Sequence, residues 1–152
     1  MFRKARTQND WLPLPNETIV LEAIWDDARM GPTSANCSSA RIVFVTTKVA
    51  KEKLRPSLMG GNVEKVMDAP VTLIIGYGTA SYEKLPVLFP HTDAKSWFIG
   101  NDDIIQEIAF RNGTLHAAYL ILAARAHGLD CGPMSDFENK QVDDIFFKGM
   151  TI

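Results

Sequence analysis

Three short polar side chains, Thr33, Ser34 and Asn36, sit within Gly31-Pro32-Thr33-Ser34-Ala35-Asn36-Cys37-Ser38, just ahead of the apolar run Ile42-Val43-Phe44-Val45. Two hydroxyls and a carboxamide, with the backbone N–H and C=O groups of so small-sided a segment, are donors and acceptors that can approach a ligand closely. Composition alone reads the same stretch as an ordinary loop between a helix and a strand. Arg3, Lys4 and Arg6 form a basic cluster that is most simply a solvated terminus, and Asn62 and Lys65 read as a helix cap and a solvated lysine. His91 titrates near neutrality but lies in an aromatic loop, where a lone histidine is more often structural. Arg111 reads equally as a partner for a substrate carboxylate and as a solvated or ion-paired arginine. No catalytic triad and no metal cluster stands out, and the absence of a G-x-G-x-x-G fingerprint argues against a Rossmann dehydrogenase.

These residues must be positioned by a chain of 152, the length of one domain and enough to bury a real core. Its 46% apolar and 22% charged residues match a globular protein, not a disordered one. A net charge of −2 without a basic run argues against a nucleic-acid partner. Cys37 and Cys131 form no C-x-x-C pair. Polar residues follow the N-terminal basic cluster where a signal peptide would be apolar, and no apolar run reaches the roughly 18 residues of a membrane span. A cytoplasmic protein with reduced thiols, working without a membrane, is the expectation.

Asn16 is placed to cap a helix through Ile19, Val20, Ala23, Ile24 and Ala28, which the Gly31-Pro32 pair stops because proline lacks an N–H and disfavours helical geometry before it. Residues 40–47 predict a strand buried on both faces or nearly so, residues 48–58 a weaker helix that Pro56 ends or kinks, and residues 71–77 a second strand. Residues 79–100 carry many aromatics without a period, as in a lid or a docked hydrophobic loop. Residues 101–127 hold the longest helical pattern, with Asn101 as cap, Asp102 and Asp103 at its positive end and Gly128 at the αL position behind it. Its wide apolar surface, interrupted by Arg111 and His116, suits a core helix and a dimer seam alike. Residues 129–134 predict a third strand, and Val142, Ile145 and Phe146 mark a last helix. The pattern leaves a parallel α/β sheet and an α+β fold both open.

Residues 30–38 resemble the Pro-Ser-x-x-Asn turn of the FMN-dependent nitroreductase family. Their form is similar to the Trp-Gly-Pro-Thr-Ser-Ala-Asn-Cys-Ser of the branch assigned to malonic semialdehyde reduction in pyrimidine catabolism. Arg6, Thr7 and Trp11 resemble the family's opening Arg-Ser followed by an aromatic, with Asn9 where many members carry a second basic residue. Residues 82–98 look like the same branch. So do Gly132-Pro133-Met134-Ser135-Asp136-Phe137, except that Asp136 replaces a glycine.

The resemblance implies an α+β fold: a mostly antiparallel core sheet flanked by helices, with the long helix central to a homodimer that binds FMN at its interface. It implies that Arg6 and Thr7, near Asn9, hold the FMN phosphate and ribityl chain, and that a guanidinium beside a hydroxyl suits this. Pro32, Thr33, Ser34 and Asn36 would lie against the flavin bound mainly by the partner. Asn62 would meet the isoalloxazine edge, and Lys65 its N1–C2=O region, where a cation stabilises reduced flavin. Ser135 and Asp136 would approach N5 and O4. A Cβ at position 136 is penalised if φ is positive there, and its carboxylate would lower the potential.

The activity implied is hydride transfer from NAD(P)H through FMN to a small-molecule substrate by ping-pong kinetics, with 3-oxopropanoate reduced to 3-hydroxypropanoate as the favoured pair. A broad nitro-compound or quinone reductase is the near alternative, and a non-catalytic dimerisation module the distant one. By resemblance the single domain, residues 1–152, is C-terminally incomplete. The family continues for some forty residues with a further core strand, whose loss would leave an unpaired sheet edge. A fragment and a dimer that compensates are both compatible with that ending.

Overall fold

A computed structural model describes residues 2–14 and 17–150. Two strands form one antiparallel sheet, β1 (Ala40–Val45) and β2 (Thr72–Tyr77), in register from Ala40 opposite Tyr77 to Val45 opposite Thr72. Alternation sends the two faces of this ribbon to different cores. Ile42 and Leu73 pack towards Ile24, Ala28, Leu120 and Ala123. Val43, Val45 and Ile74 pack with Leu54, Leu58, Val66, Val142 and Phe147.

Among the described residues, the two strands and five helices form or cover this centre. Helix α1 (Thr18–Ala28) and the 25-residue α5 (Asp102–Ala126) pack on each other and cover one face. The expected cap Asn16 lies outside the described residues. On the other face lie α2 (Lys48–Leu54), α3 (Val63–Asp68) and α6 (Asn139–Phe146). Pro56 ends α2 as expected, in a 3-10 turn at Arg55–Ser57. A short α4 (Leu85–Leu88) and two 3-10 turns make up the aromatic stretch 79–100. It is a docked loop, with Leu85, Ala94 and Phe98 buried against Cys37.

Helix α5 starts where the carboxylates and the cap require. Asn101 Oδ1 accepts from Ile104 N at 3.1 Å, and Gly128 ends the helix with φ +81°. Gly113 lets the helix settle on the sheet, since a Cβ there would stand 2.8 Å from the Tyr77 Cβ. Ile104, Phe110 and Leu115 of the same helix remain exposed. No helix among the described residues is long and apolar enough to cross a membrane.

The third strand expected at 129–134 is not formed. That segment shares one backbone bond with the N-terminal stretch, Gln8 N to Cys131 O at 3.1 Å, and the Leu58–Phe137 bridge follows it, so no ladder is built. Apolar, β-compatible residues mark a strand only where a neighbour supplies a continuous row of partners.

Candidate functional site

The residues singled out above fall into two groups, each with its own scaffold. The first is the turn. Tyr119 of α5 donates its hydroxyl to the Pro32 carbonyl at 2.8 Å, and its ring occupies the space a side chain at position 31 would need, 2.2 Å from an added Cβ. Gly31 is therefore glycine for contact as well as for stopping α1. The fully buried Asn112 accepts from Ser34 N at 2.8 Å and anchors itself by donating to Ile108 O at 2.8 Å. Ser39 Oγ donates to Ala109 O at 2.9 Å. Residues 109, 112, 116 and 119 lie on one face of a 3.6-residue helix, so α5 turns the Ala109 carbonyl and the side chains of Asn112 and Tyr119 to this segment.

Within the turn, Ala35, Asn36 and Ser38 have φ of 48°, 55° and 45°. Left-handed geometry at non-glycine residues costs on the order of 1 kcal/mol each and is held only where the surroundings over-determine it. Thr33 Oγ1 accepts from Ser38 N at 3.4 Å, which closes the turn on itself, and Asn36 Nδ2 donates to Leu88 O at 3.0 Å, which ties the turn to α4. Ser34 keeps an exposed side chain at the surface beside Pro32. A cavity of about 470 Å³ opens beside the turn, lined by Trp25, Arg29, Pro32, Asn36, Arg41 and His116 among others. His116 is buried, and its Nδ1 has no hydrogen-bond partner among the described residues. Burial pushes its pKa down, partly opposed by the Asn112 carbonyl one turn back, so the ring is neutral near pH 7. Burial likewise pushes the Cys37 thiol up, which keeps it an inert core residue.

The second group gathers around Gly132. An added Cβ there would stand 2.3 Å from the Gln8 carbonyl oxygen, 2.7 Å from Lys65 Cε and 3.0 Å from the Trp11 ring. Three segments distant in sequence therefore meet where only glycine fits. Trp11 Nε1 donates to the Lys65 carbonyl at 2.8 Å, fixing the N-terminal stretch to α3. Arg6, Thr7 and Asn9 lie exposed along that stretch, with Arg6 Nη1 folded onto the Arg3 and Ala5 carbonyls at 3.1 and 2.7 Å. The half-buried Lys65 has no side-chain hydrogen bond or ion pair among the described residues. Asn62 precedes α3, but its side chain reaches Asp136 O at 3.4 Å instead of capping the helix. Met59 N donates to the same carbonyl at 3.3 Å. Ser135 and Asp136 are exposed, and Asp136 is not among the residues with positive φ, so its Cβ meets no left-handed penalty.

The structure thus joins Arg6, Thr7, Asn9, Lys65, Asn62, Ser135 and Asp136 into one neighbourhood, and leaves Pro32, Thr33, Ser34 and Asn36 in another. Of the two other candidates, Arg111 is exposed and paired with Glu107, and His91 is exposed with its ring edge-on to Phe89 at 5.2 Å. Asn112, Tyr119 and Gly132 are the structural surprises. The Gly132-Pro133 pair was a visible break, while Asn112 and Tyr119 were hidden in a helical pattern.

The sequence profile described as the nitroreductase family matches residues 12–147. The chain belongs to the nitroreductase family. It is accordingly a flavin-dependent oxidoreductase. A Cupriavidus pinatubonensis protein named "Putative NADH dehydrogenase/NAD(P)H nitroreductase Reut_A1586" is 56% identical over 155 residues, which take in 100% of this chain and 79% of that protein. Among solved structures, a Bacillus subtilis protein described as "putative nitroreductase ydfN" superposes on this nitroreductase-family chain with a TM-score of 0.83 at 23% identity, over 95% of this chain and 77% of the other. An Exiguobacterium sibiricum protein described as a "putative nitroreductase in complex with FMN" gives 0.81 at 17% identity over 94% and 76%. Both likenesses bear on the fold.

Proposed function

We propose that this chain is an FMN-dependent NAD(P)H oxidoreductase acting as a cytoplasmic homodimer, and that its preferred acceptor is a small aldehyde, 3-oxopropanoate, reduced to 3-hydroxypropanoate. The observation that carries the cofactor reading is the neighbourhood of Gly132. It offers an exposed guanidinium and hydroxyl at Arg6 and Thr7, an ammonium at Lys65 that is unpaired among the described residues, and the backbone of Ser135–Asp136. A flavin mononucleotide needs such a set: a charged donor for its phosphate and a cation beside the ring, where negative charge collects on reduction.

When bound, FMN supplies hydride transfer from NAD(P)H to the acceptor, so no side chain need act as acid, base or nucleophile. Arg6 and Thr7 hold the phosphate by charge-assisted bonds. Asn9 lies alongside without adding charge. Asn62 and Lys65 would face the ring, and the backbone around Ser135 and Asp136 would line its reactive edge. The Pro32–Asn36 turn, carried on a different scaffold, belongs to the partner's flavin. The exposed Ile104, Phe110 and Leu115 of α5 support a seam between two copies.

The name of the Cupriavidus relative favours the nitro-compound reading, while the branch motifs at residues 30–38, 82–98 and 132–137 favour the semialdehyde. Incubation with FMN, desalting, an absorption spectrum and a sizing column test the first part, with a retained flavin band on a dimer expected. A colourless monomer contradicts it. For the substrate, kcat/KM is expected to be higher for 3-oxopropanoate than for a nitroaromatic, and the reverse order removes the aldehyde reading.

A further inference from the structure

Arg41 stands at the second position of β1, and nothing in the sequence pattern marks it. Its Nη1 lies 3.2 Å from the Ser38 carbonyl, 3.2 Å from that of Ser39 and 2.8 Å from that of Ala40. The guanidinium thus folds back beneath the end of the left-handed turn and gathers three successive carbonyls. The Ser39 carbonyl is fixed a second time, by Gly78 N at 2.7 Å. The other edge of the guanidinium rests on Gly78, where an added Cβ would stand 3.0 Å from Nη2, 3.1 Å from Cζ and 3.3 Å from Nε. Gly78 has φ −93° and ψ 121°, which any residue adopts. Its lack of a side chain therefore answers to the arginine and not to the backbone.

We propose that Arg41, seated on Gly78, is the positioning residue that holds the Thr33–Ser38 turn in its cofactor-contacting shape. From above, Tyr119 and Asn112 fix the start of the turn. Below, the three carbonyls leading into β1 point together, a crowding of partial negative charge that a multi-donor cation relieves. One nitrogen, Nη1, meets all three carbonyls, so a lysine ammonium can replace that charge but not the planar group seated on Gly78, and it restores only part of the geometry. The functional consequence rests on the reading that this turn meets FMN.

The test is a double-substitution cycle read by FMN affinity, paired with amide hydrogen exchange of the FMN-free chain. Arg41→Met is expected to weaken FMN binding at least tenfold and Arg41→Lys to recover part of that. Gly78→Ala is expected to weaken it severalfold in the unsubstituted chain but to change nothing once Arg41 is Met, because the contact it disturbs is gone. Exchange in Arg41→Met should quicken at residues 34–39 and not along β2. An equal effect of Gly78→Ala in both backgrounds, or unchanged exchange in the turn, overturns the proposal. If Arg41→Met fails to fold, Arg41→Lys and Gly78→Ala still decide it. If the unsubstituted chain does not bind FMN, the cofactor reading fails while hydrogen exchange still judges the lock. Quickened exchange with FMN affinity unchanged removes the link between the lock and the cofactor.

Discussion

The turn at residues 31–38 and the neighbourhood of Gly132 are built in opposite ways. The turn is held by side chains: Asn112 and Tyr119 from α5 above, Arg41 below, Thr33 within, and Asn36 tying it to α4. Its polar groups are largely satisfied and its backbone lies where three non-glycine residues sit left-handed. Around Gly132 the fixing is done mainly by backbone and by close approach, while the charged ends of Arg6 and Lys65 make no ion pair among the described residues. One region is a finished shape, and the other keeps the charged ends of Arg6 and Lys65 out of ion pairs among the described residues, with the exposed Asp136 in the same neighbourhood. A site assembled from two protomers needs both kinds of surface, a rigid wall from one and a charged cradle from the other.

The difference can be broken most strongly at Gly132. A Gly132→Ala side chain would have to displace the Gln8 carbonyl, Lys65 and Trp11 together, an overpacking of about 3 kcal/mol, and FMN affinity by fluorescence quenching is expected to fall by roughly 100-fold. Lys65→Met leaves the cradle in place but removes its cation. A loss of about 2 kcal/mol, roughly 30-fold in FMN affinity, is expected with an unchanged thermal midpoint. Asn112→Ala attacks the wall instead. It removes the acceptor for Ser34 N from a fully buried position, so the FMN-free chain should lose about 1–2 kcal/mol in a urea titration.

The smallest effect is the pH dependence from His116. Its folded pKa lies below the ordinary value near 6.5, so the unfolded chain binds more protons in the interval between the two. Its contribution to stability is full above about pH 6.5 and is lost as the pH falls towards the folded value. His116→Phe should flatten the fall in urea midpoint between pH 7 and 5, and an equal slope in both proteins removes this cause.

The two regions also differ in how far they could be read from residues alone. Strands 40–47 and 71–77 and helix 101–127 carry local signals, β-branched runs, the Asn101 cap and Gly128, and the structure places each within two residues of those bounds. Residues 129–134 carry the same kind of local signal without forming a strand, because a ladder depends on what lies alongside. The Gly31-Pro32 stop was legible, but its contact with Tyr119 was not, nor was Asn112 reaching Ser34 across 78 positions. A polar residue on a helix shows its role only once its opposite number is placed. The meeting at Gly132 is of the same kind, since the glycine marks a break and only the fold says which three segments need it.

The central claim, that wall and cradle come from different protomers, is tested most directly by mixing two defective chains. A Lys65→Met chain and an Asn112→Ala chain are unfolded together, refolded, and titrated with FMN on the dimer fraction. If the site is shared, each mixed dimer holds one cradle and one wall that are both intact, and a class of tight sites absent from either parent appears. A mixture that binds FMN no better than the average of its two parents contradicts it.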